Sequence, residues 1–120
     1  MLINITNHPS ALWSKAQTQA ALEQFGPIED LPFPLIRAEM SDEEIGKLTR
    51  SYLSQILDCD HPTVLLQGEF IFTYRLIVLL KEHRIPVVAC QSNIEREEYQ
   101  DENGNTVKQT VYRFGRFRAY

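Results

Sequence analysis

Three short segments hold the residue types that could do chemistry on a small polar ligand: Asn7-His8, Gln67-Gly68-Glu69 and Gln91-Ser92. Their amides, hydroxyl and imidazole can hydrogen-bond a base, a ribose or a phosphate. His8 is a candidate base because an imidazole titrates near neutrality; directly before Pro9 it would equally serve as a turn residue. Glu69 stands at a predicted helix start, where the helix dipole alone also favours an acid. Gly68 lets the backbone turn tightly and approach a ligand closely. Thr73 lies one turn beyond Glu69 on the same helix face, with Phe70 and Tyr74 beside it. Arg113, Arg116 and Arg118 could bring positive charge to a phosphate. Tyr120 closes that basic strip with an aromatic ring, and Trp13 offers either a stacking platform or a loop anchor.

Other chemistries are disfavoured. The chain has no GxGxxG, no GxxxxGK[ST] and no GxSxG, which argues against a dinucleotide-binding dehydrogenase, a P-loop NTPase and a serine hydrolase. Three scattered His and two Cys have no metal-ligand spacing, so neither a metal nor a cofactor is expected. Cys59 and Cys90 read as reduced thiols in or near the core. A net charge of −4 argues against a general coat for long nucleic acid. No apolar run has transmembrane length, and Asn4, Asn7 and His8 interrupt the start too early for a signal peptide. A cytoplasmic protein without membrane attachment is the expectation.

The elements that must position these residues are legible from pattern. A chain of 120 residues with 43% hydrophobic content is expected to form one domain with one core. Leu2-Ile3-Asn4-Ile5 reads as a buried strand and Asn7 to Trp13 as the loop beyond it. Ser14-Lys15-Ala16-Gln17 is a capping box opening a helix from Lys15 to Phe25, which Gly26-Pro27 stops. Ile28 to Phe33 reads as a second strand, cut by Pro32 and Pro34 and so suited to an edge. Ser41-Asp42-Glu43-Glu44 opens a helix from Asp42 to Leu57, with Ile45, Leu48, Tyr52, Leu53 and Ile56 on one stripe. Thr63 to Leu66 and Val87 to Cys90 are apolar without alternation, as strands buried on both faces are. Phe70 to Lys81 is the helix between them. Strand and helix alternate with short connections, which predicts a parallel sheet of about four strands covered on both faces: a three-layer α/β sandwich over residues 1–92. In such sheets ligands sit beyond the carboxyl ends of the strands, where the three polar segments would meet.

Residues 93–120 read differently. Ile94 to Gln100 and Thr106 to Tyr112 flank Asp101-Glu102-Asn103-Gly104-Asn105, a strong hairpin signal. Glu95 to Glu102 carries five acids and one Arg, whereas Thr106 to Tyr120 carries Lys108 and three arginines with no acid. The aromatic alternation slips at Gly115. A bulge there would put Tyr112, Phe114, Phe117 and Ala119 on one side and Arg113, Arg116, Arg118 and Tyr120 on the other.

Leu2-Ile3-Asn4-Ile5-Thr6-Asn7-His8, Gln67-Gly68-Glu69-Phe70 with Thr73-Tyr74, and Arg116-Phe117-Arg118-Ala119-Tyr120 together resemble the small CRISPR-associated accessory proteins of type III systems. Those are Rossmann-like proteins related in fold to CARF domains. The resemblance spans nearly the whole chain in the same element order. Glu69 stands where that pattern more readily has Asp, and the loop Ser10 to Ser14 is unusually polar. The resemblance implies a homodimer that binds a cyclic oligoadenylate, cyclic tetra-adenylate foremost, across its two-fold axis. Several such proteins are ring nucleases, which end antiviral signalling by linearising the ring without metal. A ribose 2′-hydroxyl attacks the adjacent phosphorus and leaves a 2′,3′-cyclic phosphate. On that reading His8 or Glu69 transfers the proton, and Arg116 or Arg118 faces the phosphate with the N–H groups of Gly68 and Glu69. Asn7, Gln67, Thr73 and Gln91 would contact bases or ribose, with Trp13, Phe70, Tyr74, Ser92, Arg113 and Tyr120 completing the ligand surface. A binder that sequesters the messenger without cutting would share every one of these motifs. A structural protein pairing through its basic strip and acidic hairpin is the third reading.

Overall fold

The buried run Leu2–Ile5 forms an inner strand, β1, with every residue covered. The computed structural model describes all 120 residues. Ser14 then caps helix α1 (Lys15–Phe25), its hydroxyl oxygen accepting from the Gln17 N–H at 3.2 Å. Gly26 ends α1 at φ 89°, a conformation that glycine adopts without steric penalty. Strand β2 (Ile28–Asp30) follows, then helix α2 (Asp42–Leu57), capped by the Ser41 hydroxyl at the Glu44 N–H. Strand β3 (Thr63–Leu66), helix α3 (Phe70–Glu82), strand β4 (Val87–Gln100) and strand β5 (Thr106–Ala119) complete the chain.

The five strands form one mixed sheet in the order β2-β1-β3-β4-β5. β2, β1, β3 and β4 run parallel, and β5 returns antiparallel to β4. Alternate residues of each strand feed two cores. Ile3, Ile5, Val64, Leu66 and Val87 meet Leu53 and Ile56 of α2 and Phe72, Leu76 and Leu80 of α3. Leu2, Leu65, Val88 and Phe117 meet Ala21 of α1 on the other face. The fold is therefore α/β, with three helices distributed over both faces of the sheet. Phe72 anchors the larger core, its ring edge-to-face with Phe33 and Tyr52 at centroid separations of 5.3 and 5.2 Å.

Four expectations need correction. β2 ends at Asp30, not Phe33, because its last ladder bond is Leu31 N–H to the Asn4 carbonyl and Pro32 has no N–H to continue. Phe33 instead turns onto the core. The segment read as an irregular loop contains a 3-10 turn, Ser10–Leu12. β4 does not stop at Cys90 but runs unbroken to Gln100. The hairpin is consequently the continuation of the sheet, so the sheet has five strands and not four.

The hairpin reading otherwise holds. Asp101 Oδ1 accepts from the N–H groups of Asn103 and Asn105 at 2.9 Å, and Gly104 sits at φ 79°. The register shifts between Gln91 and Ser92, whose partners are Arg116 and Phe114, leaving Gly115 as the extra residue of a bulge. A Cβ at Gly115 would lie 2.8 Å from the Gln91 carbonyl oxygen, so the bulge requires glycine. The distal hairpin projects from the body. The Cα radius of gyration is 17.4 Å, against about 14 Å for a compact chain of this length.

Candidate functional site

The strand order reverses direction between β1 and β3, the place where open α/β sheets form a crevice beyond their carboxyl ends. A depression of about 340 Å³ lies there, lined by Thr6, Asn7, His8, Trp13, Gln17, Gln67, Gly68 and Ser92 over a floor of Leu65 and Cys90. Two wider depressions adjoin it. One of about 510 Å³ shares His8, Trp13 and Ser92 and adds Leu12, Tyr112, Arg113 and Phe114. The other, about 670 Å³, shares Gln67 and Gly68 and adds Phe70, Thr73, Tyr74, Ile77 and Tyr120.

The wall after β1 is built by a buried amide. Asn4, 2% exposed, donates to the His8 carbonyl and to Asp30 Oδ1, both at 2.9 Å. Its own oxygen accepts from the Thr6 hydroxyl at 2.8 Å. Asp30 in turn accepts from the Ser10 hydroxyl and N–H. Trp13 Nε1 donates to the same His8 carbonyl at 3.0 Å. The main chain at His8 is thus held from three sides, while the imidazole is exposed and has no hydrogen bond within the chain. Trp13 serves as the loop anchor through its nitrogen and still presents its ring to both depressions.

The wall after β3 is held by side chains that replace backbone pairing. The Gln67 amide donates to the Cys90 carbonyl at 3.1 Å and accepts from the Cys90 N–H at 2.8 Å, extending the β3–β4 ladder by one residue. Gln67 lines the crevice, but both ends of its amide are engaged. Gly68 has no positive φ; its requirement is steric, since a Cβ would lie 2.3 Å from the Phe33 ring. The Glu69 carboxylate accepts from the N–H groups of Ile71 and Phe72 at 2.9 and 2.8 Å, capping α3. The N–H groups of Gly68 and Glu69 donate to nothing in the chain. Thr73 Oγ1 is buried without a partner at the edge of the largest depression, where Phe70 and Tyr74 are exposed.

Gln91 and Ser92 do not form a loop as expected; both lie within β4. Ser92 faces the crevice, whereas the Gln91 side-chain Oε1 accepts from Arg118 Nε at 2.6 Å on the α3 side of the sheet. The bulge segregates the tail as expected, with Phe114 and Phe117 toward α1 and the arginines on the opposite side. The strip is not unopposed, however. Arg113 bonds Glu95 at 2.6 Å and Glu97 at 3.0 Å, and Lys108 bridges Glu98 at 3.4 Å. The Gln109 amide and Arg113 hold the Glu97 carboxyl below its ordinary range. Arg116 and Arg118 remain without acidic partners. Tyr120 donates its phenol to the Leu66 carbonyl at 2.6 Å, and burial raises that phenol above its ordinary value. Cys90, in the crevice floor, is raised for the same reason.

The structure therefore brings together Asn7, His8, Trp13, Gln67, Gly68 and Ser92 at one crevice, and Phe70, Thr73, Tyr74 and Tyr120 at its flank. Glu69, Gln91, Arg116 and Arg118 line none of the three depressions. Asn4, Asp30 and Phe33, absent from the sequence-based set, shape the walls. A polar residue inside the apolar run Leu2–Ile5 was the available signal, because a buried amide demands partners.

The chain matches the family model described as "Uncharacterized protein MJ1673 family" over residues 1–118, and it belongs to that family. No curated protein and no solved structure matches it.

Proposed function

We propose that this chain is a Rossmann-like, CARF-like protein of type III CRISPR systems that binds a cyclic oligoadenylate, cyclic tetra-adenylate foremost, as a homodimer and cleaves it without metal. The observation that carries the reading is the crevice between β1 and β3. There Gly68, whose N–H has no partner in the chain just before α3, lines the same crevice as the unengaged His8 imidazole and the Trp13 ring. Helix-start N–H groups suit a phosphate. The flanking depressions, bordered by Trp13, Phe70, Tyr74 and Tyr112, suit adenine rings.

The chemistry rests on positioning. A ribose 2′-oxygen forms a bond to the adjacent phosphorus as the bond to the 5′-oxygen breaks. The 2′-hydroxyl proton passes to His8, and the departing 5′-oxygen takes a proton from solvent. Glu69 is a positioning residue on this reading, since its carboxylate already accepts two helix N–H groups. One fact favours the non-catalytic alternative. Of the four residues with expected catalytic roles, His8 alone lines the crevice, so sequestration without cleavage is the second reading.

Incubation with cyclic tetra-adenylate in EDTA, followed by chromatography, separates them. Linear product ending in a 2′,3′-cyclic phosphate is expected, with His8→Ala slowing single-turnover cleavage by about 100-fold or more while binding persists. An intact ring co-eluting with the protein would establish the binder. An intact ring that does not co-elute would remove the ligand class altogether.

A further inference from the structure

The two edges of the sheet are treated differently. At one edge β2 is three residues long and runs into Pro32 and Pro34, which cannot donate to a neighbouring strand. At the other edge β5 is fourteen residues long and pairs on its inner side only. Its body-proximal part is guarded by the Gly115 bulge and by Arg113, Arg116 and Arg118. Its distal part, Thr106 to Tyr112, has neither device. That stretch reads Thr-Val-Lys-Gln-Thr-Val-Tyr: strong strand formers, no proline, and one charge, already bridged to Glu98. It stands on the projecting arm, clear of the body, with Tyr112 and Ile94 69% and 62% exposed. A two-stranded ribbon of this kind is marginal alone and gains stability from a third strand.

We propose that Thr106–Tyr112 is a homodimerisation edge, pairing antiparallel with the same segment of a second copy. The sequence is self-complementary in the way such pairing needs. A two-fold axis normal to the sheet pairs residues of the same face, so the axis falls on a residue and not between two. Centred on Gln109, the pairs are Val107 with Val111, Lys108 with Thr110 and Thr106 with Tyr112. Centred on Thr110, they are Lys108 with Tyr112, Gln109 with Val111 and Val107 with Arg113. Neither register opposes two cations. Centring on Val111 would set Val107 against Gly115 of the bulge, centring on Tyr112 would set Lys108 against Arg116, and centring on Arg113 would set that cation against itself. The contact is isologous and closes as a dimer. It holds whatever the ligand is, because none of the residues Thr106 to Val111 touches the depressions around the crevice.

The test uses the whole chain without ligand. Sedimentation at tens of micromolar is expected to give twice the 13.9 kDa chain mass. Gln109→Cys and Thr110→Cys are then oxidised separately. Directly opposed strand residues are about 4.5–5.5 Å apart between Cα atoms, within disulfide reach. One of the two variants is expected to convert to a covalent dimer. Thr106→Cys should stay monomeric, its mate being about 20 Å or more away. Gln109→Pro and Thr110→Pro provide a second reading, since adjacent N–H groups point to opposite edges. One of the two removes only an outward donor, and it should sediment as a monomer that melts where wild type does at concentrations too low for the dimer to form. A wild-type protein of single mass at 100 μM, or Thr106→Cys cross-linking as well as both central positions, would overturn the proposal.

Discussion

Asn4 donates both of its amide hydrogens within the chain, one to the loop that carries His8 and one to the strand that carries Asp30. Removing that amide takes one donor each from the His8 carbonyl and the Asp30 carboxylate and the acceptor from the Thr6 hydroxyl, in a half-buried setting, a loss of about 1–3 kcal/mol. Asn4→Ala should therefore lower stability by that order in urea unfolding, and should weaken ligand binding more than a distant mutation of equal destabilisation. Gly68 makes a complementary case. Gly68→Ala forces a methyl into the Phe33 ring and should cost about 1–3 kcal/mol. Adding Phe33→Leu should recover part of that loss in a double-mutant cycle, because the clash is with a ring and not with backbone. A glycine needed only for a turn would show no such coupling.

Elements divide by how local their causes are. α1 and α2 could be placed closely, because Ser14, Ser41 and Gly26 are chemical punctuation that acts within one turn. The strands β1 and β3 were legible as apolar runs. β4 was not legible beyond Cys90. Its continuation, Gln91 to Gln100, is polar and exposed, and strand structure there depends on β5 some twenty residues later in sequence. The site was read in the same proportion. The loops that converge on the crevice follow from the strand–helix alternation, while the occupation of Gln67, Glu69 and Arg113 by other parts of the chain depends on partners that spacing does not reveal. At this scale Arg113→Ala should release Glu95 and Glu97 yet move global stability little, as exposed ion pairs do. Hydrogen exchange of the arm from Asn93 to Val111 is where its effect should show.

The molecule as a whole carries three groups whose burial favours the neutral form: Cys90, Tyr52 and Tyr120. Each has its folded value raised above the ordinary 9.0 for the thiol or 10.0 for the phenols. The sign follows directly. The folded state holds these protons more tightly, so their contribution is complete below about pH 9 and is lost as pH rises through the raised values. Both phenols also donate to carbonyls, Tyr52 to Pro32 and Tyr120 to Leu66 at 2.6 Å, and ionisation removes the donor. The melting temperature should fall between pH 9 and 11. A Tyr52→Phe and Tyr120→Phe double variant, less stable at pH 7, should show a flatter slope above pH 10.

The pairing of Gln67 with Cys90 carries a consequence for timing. The Cys90 amide hydrogen is held by a side chain, and a side chain can swing away without any strand separating. Its exchange with deuterium would then run on the clock of one rotamer, while Val88, inside the ladder, waits for the sheet to open. That single amide is a stopwatch for the breathing of the crevice. Gln67→Ala should quicken it and leave Val88 unchanged.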